Sequence, residues 1–84
     1  MNISSFQDFV VAFLGARRPD LQARYAGLSA DDDLFETAAV DSHTFIDLCL
    51  AIEEKTGVLV DIASLEPEDF STIAGLHRIV SEVA

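Results

Sequence analysis

Residues 41–57 read Asp41-Ser42-His43-Thr44-Phe45-Ile46-Asp47-Leu48-Cys49-Leu50-Ala51-Ile52-Glu53-Glu54-Lys55-Thr56-Gly57. This stretch has both punctuation marks of a helix. Asp41 is a strong N-cap type and Gly57 is the residue most often found just past a C-terminus. Placing successive side chains about 100° apart puts Phe45, Leu48, Cys49 and Ile52 on one side. The reading is an amphipathic helix from Ser42 to Thr56 with those four side chains in a core. His43, Ile46 and Leu50 share a different face, spaced i, i+3, i+7, and Asp47, Glu53 and Glu54 flank it. A second, partly apolar strip therefore runs along the helix beside Ser42, suited either to covering by the preceding loop or to docking a partner.

Upstream, Phe6, Phe9, Val10 and Phe13 recur at helical spacing. They predict a first helix capped by Ser5, with Asp8 in its first turn and Arg17 and Arg18 at its C-terminal end, where the dipole favours cations. Pro19 ends it. Residues 18–41 form a long connection, in which Asp20 to Tyr25 can add a helical turn and Leu34 and Phe35 pin the loop to the core. Connections this long are uncommon in compact domains and often functional. Downstream, Val58 to Val60 reads as extended, Ile62 to Leu65 as a brief third helix, and the acid-rich segment around Pro67 as a loop. Ser71 is the expected cap of a last helix with the stripe Ile73, Leu76, Ile79 or Val80, and Val83. The expected fold is all-α: one domain over residues 1–84, a small bundle of three main helices plus one short helix.

Composition narrows the function classes. Half of the 84 residues are hydrophobic and 24% are charged, which suits a folded domain with a modest core. No apolar run approaches the ~20 residues of a membrane span. No basic segment followed by an apolar one marks a secretory signal. The one cysteine, Cys49, excludes an internal disulfide. A cytoplasmic monomer is expected. Five Lys and Arg against fifteen Asp and Glu give a net charge of −10, and twelve of the acids fall between Asp31 and Asp69. Such a field repels nucleic acid and favours basic partners.

No catalytic or metal site assembles from these residues. Asp41, Ser42 and His43 contain the letters of a triad, but adjacent helical residues point in different directions, whereas a nucleophile and its base must converge. His43, His77 and Cys49 lack zinc-finger spacing, and Cys49 falls on the core stripe. Residues 31–36 lack the alternating ligands of a calcium loop. Ser42 is instead a solvent-facing hydroxyl at the mouth of a helix, where a phosphodiester would lie near unpaired N–H groups and the positive end of the dipole.

In this order of parts the chain resembles the acyl carrier protein family over essentially its whole length. The resemblance rests on Asp41-Ser42, the helix of apolar and acidic positions ending in Glu53-Glu54, and the terminal Phe70-Ser71-Thr72-Ile73 entry. It implies 4′-phosphopantetheine on Ser42, with Asp41, His43, Ile46, Asp47, Leu50, Glu53 and Glu54 facing partner enzymes. His43 stands where the family usually carries Leu, Met or Ile. The stretch Asp33-Leu34-Phe35-Glu36-Thr37 through Val40-Asp41-Ser42 is most like stand-alone D-alanyl and other aminoacyl carriers, and the Gly-Gly that usually precedes the serine of peptide-synthetase modules is absent. The resemblance implies a non-catalytic, free-standing carrier of an acyl or aminoacyl thioester. Its partners would be a phosphopantetheinyl transferase, an adenylating ligase or acyltransferase that loads the arm, and a downstream acceptor enzyme. The alternatives are a fatty-acid or polyketide carrier, an unmodified acidic helical adaptor, and a small hydrolase using Ser42.

Overall fold

Helix α1 spans Ile3–Arg17, and a 3₁₀ turn at Pro19–Leu21 leads into the short helix α2, Gln22–Ala26. Helix α3 spans Ser42–Thr56, α4 Pro67–Phe70 and α5 Ile73–Val83. These bounds come from a computed structural model that describes the chain except Ala39 and Ala84, with the backbone alone at Val83. Among the described residues there is no β-strand; Asp33 and Thr72 form an isolated bridge. The fold is the small all-α bundle expected, with one more short helix than expected.

Helix α3 begins and ends where its sequence punctuation places it. The Asp41 carboxylate accepts from the Thr44 N–H at 2.7 Å. Gly57 takes φ 79°, the left-handed conformation that glycine adopts without a Cβ penalty, and its N–H donates to Glu53 O at 2.7 Å. Phe45, Leu48, Cys49 and Ile52 are all buried. An isolated helix of this length is marginal in water. Burial of each large side chain, about 1.5–3 kcal/mol, is what holds it.

The structure corrects the sequence reading at two caps and at one short helix. Helix α1 starts at Asn2 rather than Ser5: the Asn2 side chain accepts from the Ser5 N–H at 2.8 Å. Both are good capping types, and the earlier one adds a turn that brings Met1 O within 2.9 Å of His77 Nε2 on α5. The brief third helix is not at 62–65. Asp61 accepts from the Ala63 N–H at 3.2 Å and the Ser64 hydroxyl at 2.8 Å, which closes a local turn instead. The short helix lies at Pro67–Phe70, in the segment expected to be a loop. Proline is well suited to the first position of a helix, and Asp69 accepts from the Glu66 N–H at 3.1 Å. The cap of α5 is Thr72, whose hydroxyl accepts from the Gly75 N–H at 2.9 Å, and not Ser71, which is buried. Of the expected α5 stripe, Ile73, Leu76 and Val80 are buried and Ile79 is half-buried, while the Val83 side chain lies outside the described residues.

The long connection is tied down along its length. Leu28, Leu34, Ala38 and Val40 are buried. Gln7 Nε2 donates to Leu28 O at 2.8 Å, Arg24 Nε to Thr37 O at 2.9 Å, and Ala74 N to Ala30 O at 2.9 Å. Leu34 N donates to Ser71 O at 2.7 Å, and Val40 N to Leu34 O at 3.1 Å. Phe35, Phe45 and Phe70 stack in series, with centroids 4.9 and 5.4 Å apart. They join loop, α3 and α4.

Helices α4 and α5 meet so closely that only glycine fits at position 75. A Cβ there would collide with the carbonyl oxygen of Asp69, a backbone atom that cannot rotate away. Gly75→Ala is expected to lower stability by about 1–3 kcal/mol, the usual range for overpacking, in a urea denaturation series.

Candidate functional site

The candidate site is the start of α3, and its position is set by the segment before it. Val40 is buried and hydrogen-bonded through its N–H to Leu34 O. The chain then turns out at Asp41, in extended geometry with φ −87° and ψ 171°. Asp41 is consumed by its capping bond. Bonding to Thr44, chiefly from its backbone N–H, holds the Asp41 carboxyl below the usual carboxylate range, and the charges of His43 and Arg17 act in the same direction.

Ser42 is the first residue of the helix and is exposed. Among the described residues its hydroxyl has no hydrogen-bond partner. His43 gives it none: that side chain is 83% exposed, and its Nδ1 lies 3.7 Å from Asp47 one turn along the helix. An alcohol without a base is a weak nucleophile. The geometry therefore offers an accessible hydroxyl beside unpaired helical N–H groups. Among the described residues no three His, Cys, Asp or Glu side chains gather as a metal-binding group.

The outer strip of α3 is solvent-facing as its spacing implies. Ile46 is 49% and Leu50 55% exposed. Glu53 and Glu54 are exposed, and among the described residues neither is ion-paired. Leu59 and Ile62, in the segment after α3, are also exposed. Asp47 differs from the other acids of the strip. Its carboxylate binds Arg17 Nη1 at 2.9 Å, which ties α3 to α1. Its structural role was not legible from α3 alone, because the partner lies 30 positions away.

Sequence reasoning also missed a cleft near the start of α3, which Ser42 itself does not line. It measures about 290 Å³, lies between the end of α1, α2 and the start of α3, and is lined by Arg17, Arg18, Tyr25, Asp41, His43 and Thr44 among others. The two arginines had been accounted for by the helix dipole, and only their position in space shows that they share a wall with the flanks of Ser42. Arg18 is paired bidentately with Asp20, at 3.1 and 2.9 Å. Cys49 is buried in the core, which pushes its thiol up to about 11.

Neither comparison with known protein families nor searches of curated proteins and of solved structures found a match. Among the described residues no helix is long and apolar enough to cross a membrane.

Because the folded-state pKa of Asp41 is depressed, the cap stabilises fully above the unfolded value, about 3.9. Its contribution disappears as pH falls through the lower folded value. Asp41→Asn has no such titration. The loss of thermal midpoint between pH 6 and pH 3 is expected to be smaller in Asp41→Asn than in the wild type.

Proposed function

We propose that this protein is a non-catalytic acyl or aminoacyl carrier, with 4′-phosphopantetheine attached as a phosphodiester to Ser42. The observation that supports this best is the Ser42 hydroxyl itself: exposed, first in a well-capped helix, relieved of capping by Asp41, and without a base. The residues present fit the group. The N–H groups at the start of α3 favour an anion attached at that point. When bound, the arm supplies a thiol that holds the cargo as an activated thioester. The chain's own work is to present Ser42 at a fixed place and to offer a face to the enzymes that modify, load and unload it.

That face is the outer strip of α3. Ile46 and Leu50 supply apolar contact, and Glu53 and Glu54 supply steering charge and register for basic partners. A phosphopantetheinyl transferase, a loading ligase or acyltransferase, and an acceptor enzyme would use it in turn. Asp41 and Asp47 contribute to the same field while holding the helix in place, and His43 sits beside the root of the arm. A short or polar cargo, such as an aminoacyl unit, fits best. The aromatic series Phe35–Phe45–Phe70 fills space between the loop, α3 and α4 that an alkyl chain would otherwise enter. Displacing those rings would disrupt close packing.

The experiment is intact mass after co-expression with a broad-specificity phosphopantetheinyl transferase. The wild type gains the mass of one phosphopantetheine, mapped to the peptide containing Ser42. Ser42→Ala keeps its helical circular dichroism and gains nothing. Equal modification of both overturns the assignment to Ser42; modification of neither overturns the carrier reading and favours an unmodified adaptor.

The docking face has a separate test in loading kinetics. Ile46→Ala and Leu50→Ala are expected to raise the dissociation rate of the carrier–enzyme complex. Glu54→Lys is expected to lower the association rate and flatten its salt dependence. These side chains lie off the core, so thermal midpoints should stay within the small range typical of surface substitutions. Unchanged kinetics in all three would place the docking surface elsewhere.

A further inference from the structure

Of the two histidines in the chain, His43 follows Ser42, and His77 sits against Met1 and Phe6, towards the opposite end of α1 from Arg17. His43 shares the outer face of α3 with Ile46 and Leu50 and is 83% exposed, so an enzyme that reaches the Ser42 hydroxyl meets this ring. The charged and titratable groups around it come from three elements. On α3 and its cap are Asp47, 3.7 Å from Nδ1, and Asp41. From the end of α1 come Arg17 and Arg18, and from α2 comes Tyr25; all three line the same cleft as His43. Arg17 is committed to Asp47 and Arg18 to Asp20, each at 2.9 Å. Among the described residues Asp41 is ion-paired with no cation, so a neutral imidazole leaves this end of the strip with one uncompensated carboxylate. A protonated ring cancels it. At the far end Glu53 and Glu54 stay exposed and negative either way.

We propose that His43 is a proton-controlled element of the docking strip: neutral, it leaves the Ser42 end open to a basic partner, and protonated, it repels one. The inference rests on the carrier reading. Imidazole changes charge between pH 5 and 8, where carboxylates and guanidinium groups keep theirs. The Asp41 carboxyl, held below the usual range by bonding to Thr44, is ionised throughout that window. Among His43, Asp47, Glu53 and Glu54, only His43 therefore changes charge near neutrality. Its Nδ1 edge lies near the Asp47 carboxylate, and Asp47 is anchored to Arg17. An imidazolium is thus attracted to a fixed point on the strip and stays on it. A unit charge about 8 Å from a partner's cation changes their encounter by about a factor of two in water. Charges at the rim of an interface act chiefly on the association rate. The Ser42 end of the strip is then pH-sensitive, and the Glu53–Glu54 end is not.

The test measures kcat/KM for modification by a broad-specificity phosphopantetheinyl transferase at pH 6 and pH 8, with intact mass confirming the arm. Titration of the transferase itself is common to all variants and cancels between them. At low salt, the ratio of the pH 8 value to the pH 6 value is expected to be about twofold larger in the wild type than in His43→Gln. His77→Gln is expected to keep the wild-type ratio. His43→Lys, cationic at both pH values, should share the small ratio of His43→Gln but react more slowly than it at pH 8. The difference between wild type and His43→Gln should fade at high salt, as for a screened charge. At so exposed a position, substitution leaves the fold intact, which circular dichroism checks. Four results would each overturn the inference and leave the carrier reading standing: a ratio unchanged in His43→Gln, a ratio that follows His77→Gln instead, a His43→Lys rate at pH 8 equal to that of His43→Gln, or a difference that persists at high salt. Absence of any mass gain overturns the carrier reading and this inference with it.

Discussion

The position of Ser42 depends on two backbone hydrogen bonds that pass through Leu34. Its N–H donates to Ser71 O at 2.7 Å, and its carbonyl accepts from the Val40 N–H at 3.1 Å. The first ties the long connection to the α4–α5 junction. The second fixes the residue immediately before the Asp41 cap. The Leu34 side chain is fully buried, so both bonds lie where water competes poorly and a broken bond would leave a costly unpaired group. The start of α3 is thus anchored twice, by its own stripe on the core and by a chain of contacts that runs from α5 through the loop. A hydroxyl on a helix mouth is common. One whose approach direction is over-determined in this way is a fixed point on the surface.

The acids divide into two populations that composition alone merges. Asp32, Asp33, Asp41, Asp61 and Asp69 accept from nearby main-chain N–H groups and shape turns and helix starts. Asp20 and Asp47 are paired with arginines. Glu53 and Glu54 have no such duty among the described residues. A chain of net charge −10 repels itself, and using its aspartates as local acceptors recovers stabilisation from charges that would otherwise only repel. The same division says which charges a partner can engage without disturbing the fold: the glutamates at the far end of α3 rather than the aspartates at its start.

Sequence alone specified α3 completely, because cap, stripe and stop are all local signals and agree with one another. It placed Phe6 and Val10 of α1 and the described part of the α5 stripe, took the half-buried Phe9 and Phe13 for core positions, overlooked Leu14, and missed both caps. Asn2 against Ser5, and Thr72 against Ser71, are pairs of equivalent capping types a few residues apart, and the choice between them is made by tertiary contacts at Met1 and Leu34. The short helix was misplaced because Pro67 amid acids looks like a breaker, while at a first helical position it is a start signal. At the candidate site, Ser42 and the outer strip were legible from spacing. The Arg17–Asp47 pair and the cleft were not, since both depend on how the end of α1 packs against the start of α3.

These features bear on the carrier reading, under which so small a domain does no chemistry of its own. A convergent catalytic site needs side chains from several elements held around a common point, usually with water excluded. Here the interior beneath α3 is occupied by Phe45 and its neighbours Phe35 and Phe70, and the titratable groups near Ser42 are each turned to a local partner. What remains at the mouth of α3 is an exposed hydroxyl on a well-anchored backbone, beside an apolar, acidic strip. A fixed backbone position suits a group that must be found by several enzymes in the same orientation. Under the carrier reading, reaction specificity belongs to those enzymes, and this chain contributes the constancy of the point at which they meet.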